Sequence, residues 1–180
     1  MNHILEKLQT LVTFDLENGP FLTGGFATWL IESQYTVPSW TPNDIDICCA
    51  TIEQFDSVKQ ALEPLSTYTQ VTNWLNSSST YWTINDFQFQ AFVHTTSKKR
   101  IEWADFTVTA IATDGVNFLM GSSTLEDIQN KILRININNP WEHRDINSQL
   151  ERYTKYLHRG YRDIDSLIIT GINETFATNL

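Results

Sequence analysis

The sequence predicts an α/β (α+β) fold, a mixed sheet with flanking helices and a short C-terminal helical extension. Three observations carry that prediction. Apolar residues recur with period 3.6 in some stretches and alternate with period 2 in others. The two patterns are interleaved along the chain, which is the order of a sheet packed against helices. The bulk is sufficient too: 180 residues, 41% hydrophobic, with six Trp and ten Phe, can close a core without disulfides.

Ile4, Leu5, Leu8, Leu11 and Val12 share one face of a first helix. Pro20 to Thr23 reads as a short strand, stopped by Gly24-Gly25, and Ala27, Leu30 and Ile31 restore helical spacing from Phe26 to about Ser33. Val37 to Pro42 holds two prolines and reads as a loop. Asp44 to Ala50 is the central strand, with Ile45, Ile47 and Cys49 on one face and Asp44, Asp46 and Cys48 on the other. Thr51 caps a helix that runs to about Leu62, before Pro64.

Asn73 to Thr80 is polar and reads as a turn or hairpin tip. Tyr81 to Val93 contains the alternation Phe87-Gln88-Phe89-Gln90 of a strand. Ser97-Lys98-Lys99-Arg100 reads as a basic loop, Phe106 to Ala112 as a short strand and Asp114-Gly115 as a turn. Ser123 and Glu126 form a capping-box pair for a helix with Leu125, Ile128 and Ile132 inward, and Leu133 to Ile137 closes the alternating part. A last helix spans about Ile146 to Arg159 and ends at Gly160. The expected division is a main domain over 1–137, a helical extension over 138–172 and a loose tail over 173–180.

A net charge of −9 argues against non-specific nucleic-acid binding, since the surface as a whole repels phosphate backbones. The N-terminus has no secretory pattern, and no apolar run approaches the ~20 residues of a membrane span. The adjacent Cys48 and Cys49 face opposite sides of a strand, which suits neither a disulfide nor a shared metal. A cytoplasmic location is the expectation.

The chemistry gathers at two points. Asp44 and Asp46, one residue apart in a strand, present two carboxylates on one face about 7 Å apart. Mg²⁺ takes few protein oxygens and leaves its other positions to water and phosphate. Upstream, Gly24 and Gly25 open a helix, so backbone amides can approach an anion there. Arg152, Lys155 and Arg159, at i, i+3 and i+7, lie on one helix face. They are either a phosphate clamp or a solvated stripe paired with Glu151 and Asp163.

These segments resemble the nucleotidyltransferase superfamily of polymerase-β-like enzymes, and the head domain of tRNA CCA-adding and poly(A) polymerase enzymes within it. Leu22-Thr23-Gly24-Gly25-Phe26-Ala27 resembles that family's glycine turn, Asp44-Ile45-Asp46-Ile47 its metal-binding pair, and Asp105-Phe106-Thr107-Val108-Thr109-Ala110 its Asp-Phe-Thr segment. Arg152-Tyr153-Thr154-Lys155-Tyr156 is similar to a segment of small phage-encoded members. The resemblance implies Asp44, Asp46 and Asp105 as catalytic residues and Mg²⁺ on Asp44 and Asp46. It implies Thr23, Gly24, Gly25, Arg152, Lys155 and Arg159 at an NTP, ATP or CTP. The acceptor stays open between a tRNA end, a protein and a small molecule.

The departures are as informative. The family's Arg-Asp after the turn is absent, since Thr28 and Trp29 follow Ala27. Where a later strand should bring a third carboxylate, Gln90 stands, with Asp86 at the strand's edge. At 180 residues the chain is expected not to be a complete CCA-adding enzyme, which has a long helical body to hold tRNA. Two readings follow: a Mg²⁺-dependent nucleotidyltransferase, or an impaired one that keeps the fold as a binding module.

Overall fold

The computed structural model describes residues 2–74, 77–139 and 146–163. In chain order these form α1 (Asn2–Leu11), β1 (Phe21–Thr23), α2 (Gly24–Tyr35), β2 (Asp44–Cys49), α3 (Ile52–Leu62), β3 (Tyr68–Trp74), β4 (Ser77–Ile84) and β5 (Phe87–Val93). Then come α4 (Ser97–Glu102), β6 (Ile111–Thr113), β7 (Phe118–Met120), α5 (Thr124–Gln129), β8 (Ile132–Leu133), α6 (Ile146–His158) and β9 (Arg162–Asp163). Seven strands make one sheet in the order β3-β4-β5-β2-β1-β6-β7. All its neighbours are antiparallel except β2 and β5, so the sheet is mixed, as the interleaved periodicity predicts.

The alternation in β2 divides the two faces. Ile45, Ile47 and Cys49 enter a core with Leu5 and Leu8 of α1, Phe26 of α2 and Phe55, Val58 and Leu62 of α3. Burying each such side chain contributes about 1.5–3 kcal/mol. Cys48 turns the other way, to Phe21 and Ala112 in a small cluster, and Asp44 and Asp46 share that face. A further core joins Ala27 and Ile31 of α2 to Phe106, Val108, Ile128 and Leu133, and to Tyr153, Tyr156 and Tyr161 near the end of the described chain.

Four local expectations are corrected and one is refined. The polar stretch from Asn73 to Thr80 is strand up to Trp74 and again from Ser77, leaving 75–76 outside the described residues. Ser and Thr serve there because β4 is flanked on both sides and Thr72 and Ser79 hydrogen-bond across the ladder at 2.9 Å. The strand expected at Phe87–Gln90 is β5, and Tyr81 belongs to β4, the two strands folding at Asn85 and Asp86, both at positive φ as a tight hairpin turn requires.

Ser97 to Arg100 is helical, the start of α4, not a loop. Phe106 to Ala112 is mostly not strand: Thr107–Thr109 form a 3-10 turn, fixed by Thr107 donating to Asp127 at 2.6 Å and Thr109 to the Phe106 carbonyl at 2.9 Å. Ser123 precedes α5 without a side-chain cap bond, and the neighbouring Thr124 donates instead to the Thr107 carbonyl at 2.8 Å.

Thr51 does cap α3, accepting from the Gln54 amide, and Gly160 takes a positive φ after α6. The expected tail over 173–180 and much of the extension over 138–172 lie outside the described residues. Among the described residues no helix is long and apolar enough to cross a membrane.

Candidate functional site

The sheet topology sets a cavity of about 460 Å³ over the face that carries Asp44 and Asp46. β2 is central because its other face is wholly apolar, so both carboxylates are held at the middle of the sheet. Asp46 sits deep in the fold yet partly open to the cavity. Burial, and then the nearby Asp44, push its carboxyl from 3.8 up to about 7, against the opposing pull of Arg100, Lys155 and Arg152. Two close carboxylates in such a place are an unfavourable pair until a cation joins them.

Gly24 makes room for this pair. It adopts φ +67°, and a Cβ there would stand 2.1 Å from Asp46 Oδ2. Its neighbour Gly25 does the same for a cation: a Cβ there would be 3.3 Å from Arg159 Nη1. The glycine pair therefore touches an acid on one side and a base on the other. Thr23 stands opposite Asp46 in the β1–β2 ladder, but its hydroxyl donates to the Ile111 carbonyl at 2.8 Å and the residue is fully buried. It bolts β1 to β6, and its one hydroxyl proton is committed to that carbonyl.

α6 faces the same cavity. Arg152 and Lys155 line it, and Arg152 pairs with Asp105, whose other oxygen accepts from Asn139 Nδ2 at 3.2 Å. Arg159 lies just past the helix end, only 5% exposed. Its guanidinium carbon is 3.6 Å from the Trp40 ring centre and 4.9 Å from that of Tyr156. Burial lowers its pKa while Tyr156 and Asp44 act to raise it. Nη1 has no hydrogen-bond partner. Arg159 and Lys155 also line an adjoining cavity of about 660 Å³ with Trp40, Asn43 and Glu151.

Of the expected site residues, Asp44, Asp46, Asp105, Gly24, Gly25, Arg152 and Lys155 thus line one cavity, Arg159 abuts it at Gly25, and Thr23 is withdrawn. Gln90 stands in register beside Asp46, its Nε2 donating to the Tyr81 hydroxyl at 2.7 Å. Sequence reasoning missed Arg100, Trp40 and Tyr156 as parts of the site. Arg100 sits in a helix with one apolar residue, Ile101, so periodicity had nothing to register. Trp40 comes from a loop between two prolines, where only tertiary contacts fix a side chain.

The donor set fits a hard divalent cation: two carboxylates from the protein, with the remaining positions left to water and phosphate oxygens. Among the described residues no group of three or more His, Cys, Asp or Glu converges on one point.

No protein-family model matches the chain, and no curated protein sequence matches it. Solved structures do. The Thermotoga maritima CCA-adding enzyme complexed with tRNA CCA superposes on 86% of this chain and 36% of its own, at 16% identity and a TM-score of 0.54. The Bacillus stearothermophilus CCA-adding enzyme in complex with CTP covers 85% of this chain and 35% of its own, at 12% identity and a TM-score of 0.50. The chain spans about a third of the length of these enzymes. It has a nucleotidyltransferase-like fold that resembles their head domain.

Proposed function

We propose that the chain is a Mg²⁺-dependent nucleotidyltransferase that moves a nucleotidyl group from an NTP, ATP or CTP, to an acceptor hydroxyl. The observation that carries this reading is Gly24 packed directly against Asp46. A backbone turn open to anions and a carboxylate pair suited to a cation are thereby held in contact, as a metal–triphosphate requires.

Asp44 and Asp46 would hold a Mg²⁺ ion, which would supply Lewis-acid charge to bound phosphate. The chain's own cations do the rest. Arg159 returns to the glycine turn the positive charge that Thr28 and Trp29 do not provide, and its unpartnered Nη1 suits a phosphate oxygen. Lys155 faces the same anion from α6, and Arg152 holds Asp105 at the cavity wall. The acceptor oxygen bonds to the α-phosphorus as the bond to the bridging oxygen breaks, and pyrophosphate leaves with the electron pair. Gln90 is an amide and takes no proton, so the hydroxyl proton leaves to water.

Four of the chain's 12 basic side chains, Arg100, Arg152, Lys155 and Arg159, gather at these two cavities although the net charge is −9. That favours a compact anion over a long RNA backbone, so the acceptor is a short nucleic-acid end, a protein side chain or a small molecule. Such a reading places the protein where NTPs are, in the cytoplasm.

Gln90 and the Arg152–Asp105 pairing favour a second reading, a binding module of the same fold without turnover. Calorimetric titration of each NTP with and without Mg²⁺, on the wild type and on Asp44→Ala/Asp46→Ala, tests the first. Binding that needs both metal and aspartates supports it. Equal binding by the variant removes the metal assignment, and absence of binding in every combination removes the nucleotide site.

A further inference from the structure

One arginine in the cavity has a buried nitrogen that no hydrogen bond satisfies. Arg100 comes from α4, and its Nε is buried without a partner. Its charge acts on both Asp46 and Cys48, and of the cations acting on Asp46 it acts most strongly. Arg100 lines the cavity over the polar face of β2 together with Asp44, Asp46, Gly24 and Gly25.

Beside it, Gln90 presents a neutral amide in register with Asp46, and Tyr81 ties that amide's nitrogen. Two-cation sites hold their ions ~4 Å apart with carboxylates that bridge or flank them. Among the described residues the donor set here ends at two carboxylates, because Asp105 is engaged by Arg152 and Asn139. A second divalent ion beside Asp46 would find no further free carboxylate among the described residues lining the cavity and would meet the charge of Arg100.

Building on the nucleotidyltransferase reading, we propose that the site takes one divalent cation per bound NTP, on Asp44 and Asp46, with the Arg100 guanidinium on the triphosphate oxygens in the place of a second. The chemistry matches: a guanidinium is a fixed cation whose planar donors fit two phosphate oxygens at once, and it needs no carboxylate to hold it. The site is internally consistent, since a neutral amide at position 90 and an unpartnered base from α4 leave the local charge able to receive the anion.

Counting Mn²⁺ bound to the protein saturated with α,β-methylene-ATP, by the electron paramagnetic resonance of the free ion, tests this directly. One Mn²⁺ per complex is expected for the wild type. Arg100→Ala should weaken the analogue by about tenfold or more, with Arg100→Lys recovering part of the loss. The double variant Gln90→Glu/Arg100→Ala should gain a second Mn²⁺. Two ions in the wild-type complex, or unchanged affinity in a folded Arg100→Ala, overturns the proposal while leaving the transferase reading intact. A wild type that binds neither Mn²⁺ nor the analogue overturns both. Thermal unfolding of Arg100→Lys and Arg100→Ala separates loss of contact from loss of fold.

Discussion

Gly24 shows how a single residue couples backbone shape to chemistry. Alanine there meets two costs, a φ of +67° that disfavours any side chain and a Cβ 2.1 Å from Asp46 Oδ2. Gly24→Ala is expected to destabilise the fold by about 1–3 kcal/mol and to abolish Mg²⁺-dependent NTP binding, read by urea unfolding and by calorimetry. Normal binding in that variant would show that the turn and the aspartate act apart.

Asp46 makes the complementary prediction. Its carboxyl is raised in the folded state, so the fold keeps a proton that the unfolded chain releases near pH 4. Between about pH 4 and 7 the folded state binds more protons, and stability falls as pH rises, levelling off above 7. The rise from 3.8 to about 7 is worth on the order of 4 kcal/mol at most. Asp46→Asn should match the wild type at pH 3 and exceed it above pH 7 when no divalent cation is present. Mg²⁺ should restore the wild type alone. Parallel urea curves across that range would remove Asp46 as the strained group.

At the scale of elements, α2 is the organiser. Its Glu32, 1% exposed, pairs with Lys131 and accepts from Tyr161 Oη at 2.9 Å and Trp40 Nε1 at 3.2 Å. One carboxylate thus ties the proline loop, the turn after α5 and the segment after α6. Through Trp40 it also sets the plate on which Arg159 lies. Glu32→Ala leaves Lys131 and two donors unpaired and should cost about 3–5 kcal/mol, with weaker NTP binding. Glu32→Gln keeps an acceptor and should lose less of both. Thermal unfolding and NTP affinity of the two variants decide whether the network positions the site or only supports the fold.

This network was invisible in the sequence, where Glu32, Trp40, Lys131 and Tyr161 share no spacing. What was legible lay where local signals and tertiary packing agree: the Asp44–Ala50 alternation, the Thr51 cap, the Gly160 stop. Reading failed where partners decide. The Ser-rich start of β4 is strand because β3 and β5 flank it, and Thr107–Thr109 left the strand pattern because their hydroxyls found bonds elsewhere. The partner of Thr23 was hidden for the same reason, its hydroxyl meeting a carbonyl 88 residues away.

For the molecule as a whole, the question is whether the C-terminal extension is an appendage or part of one folding unit. The proposed boundary at 137 would make 1–137 self-sufficient. Yet Tyr153, Tyr156 and Tyr161 pack with Ala27, Ile31, Phe106 and Val108, and Tyr156 is 2% exposed. The same segment brings Arg152, Lys155 and Arg159 to the cavities, so removing it would take away both apolar cover and three of the four cations there. Shared burial implies shared cooperativity: neither side can lose its packing without exposing the other. Calorimetry of the full chain should therefore show one transition. Tyr156→Ala, costing about 3–5 kcal/mol, should move that whole transition down by on the order of 10 °C. NTP binding should weaken in the same variant, because Tyr156 packs against Arg159 and touches Thr28 beside the glycine turn. Two separable transitions, with only the smaller one sensitive to Tyr156, would restore the boundary and make the clamp an independent module.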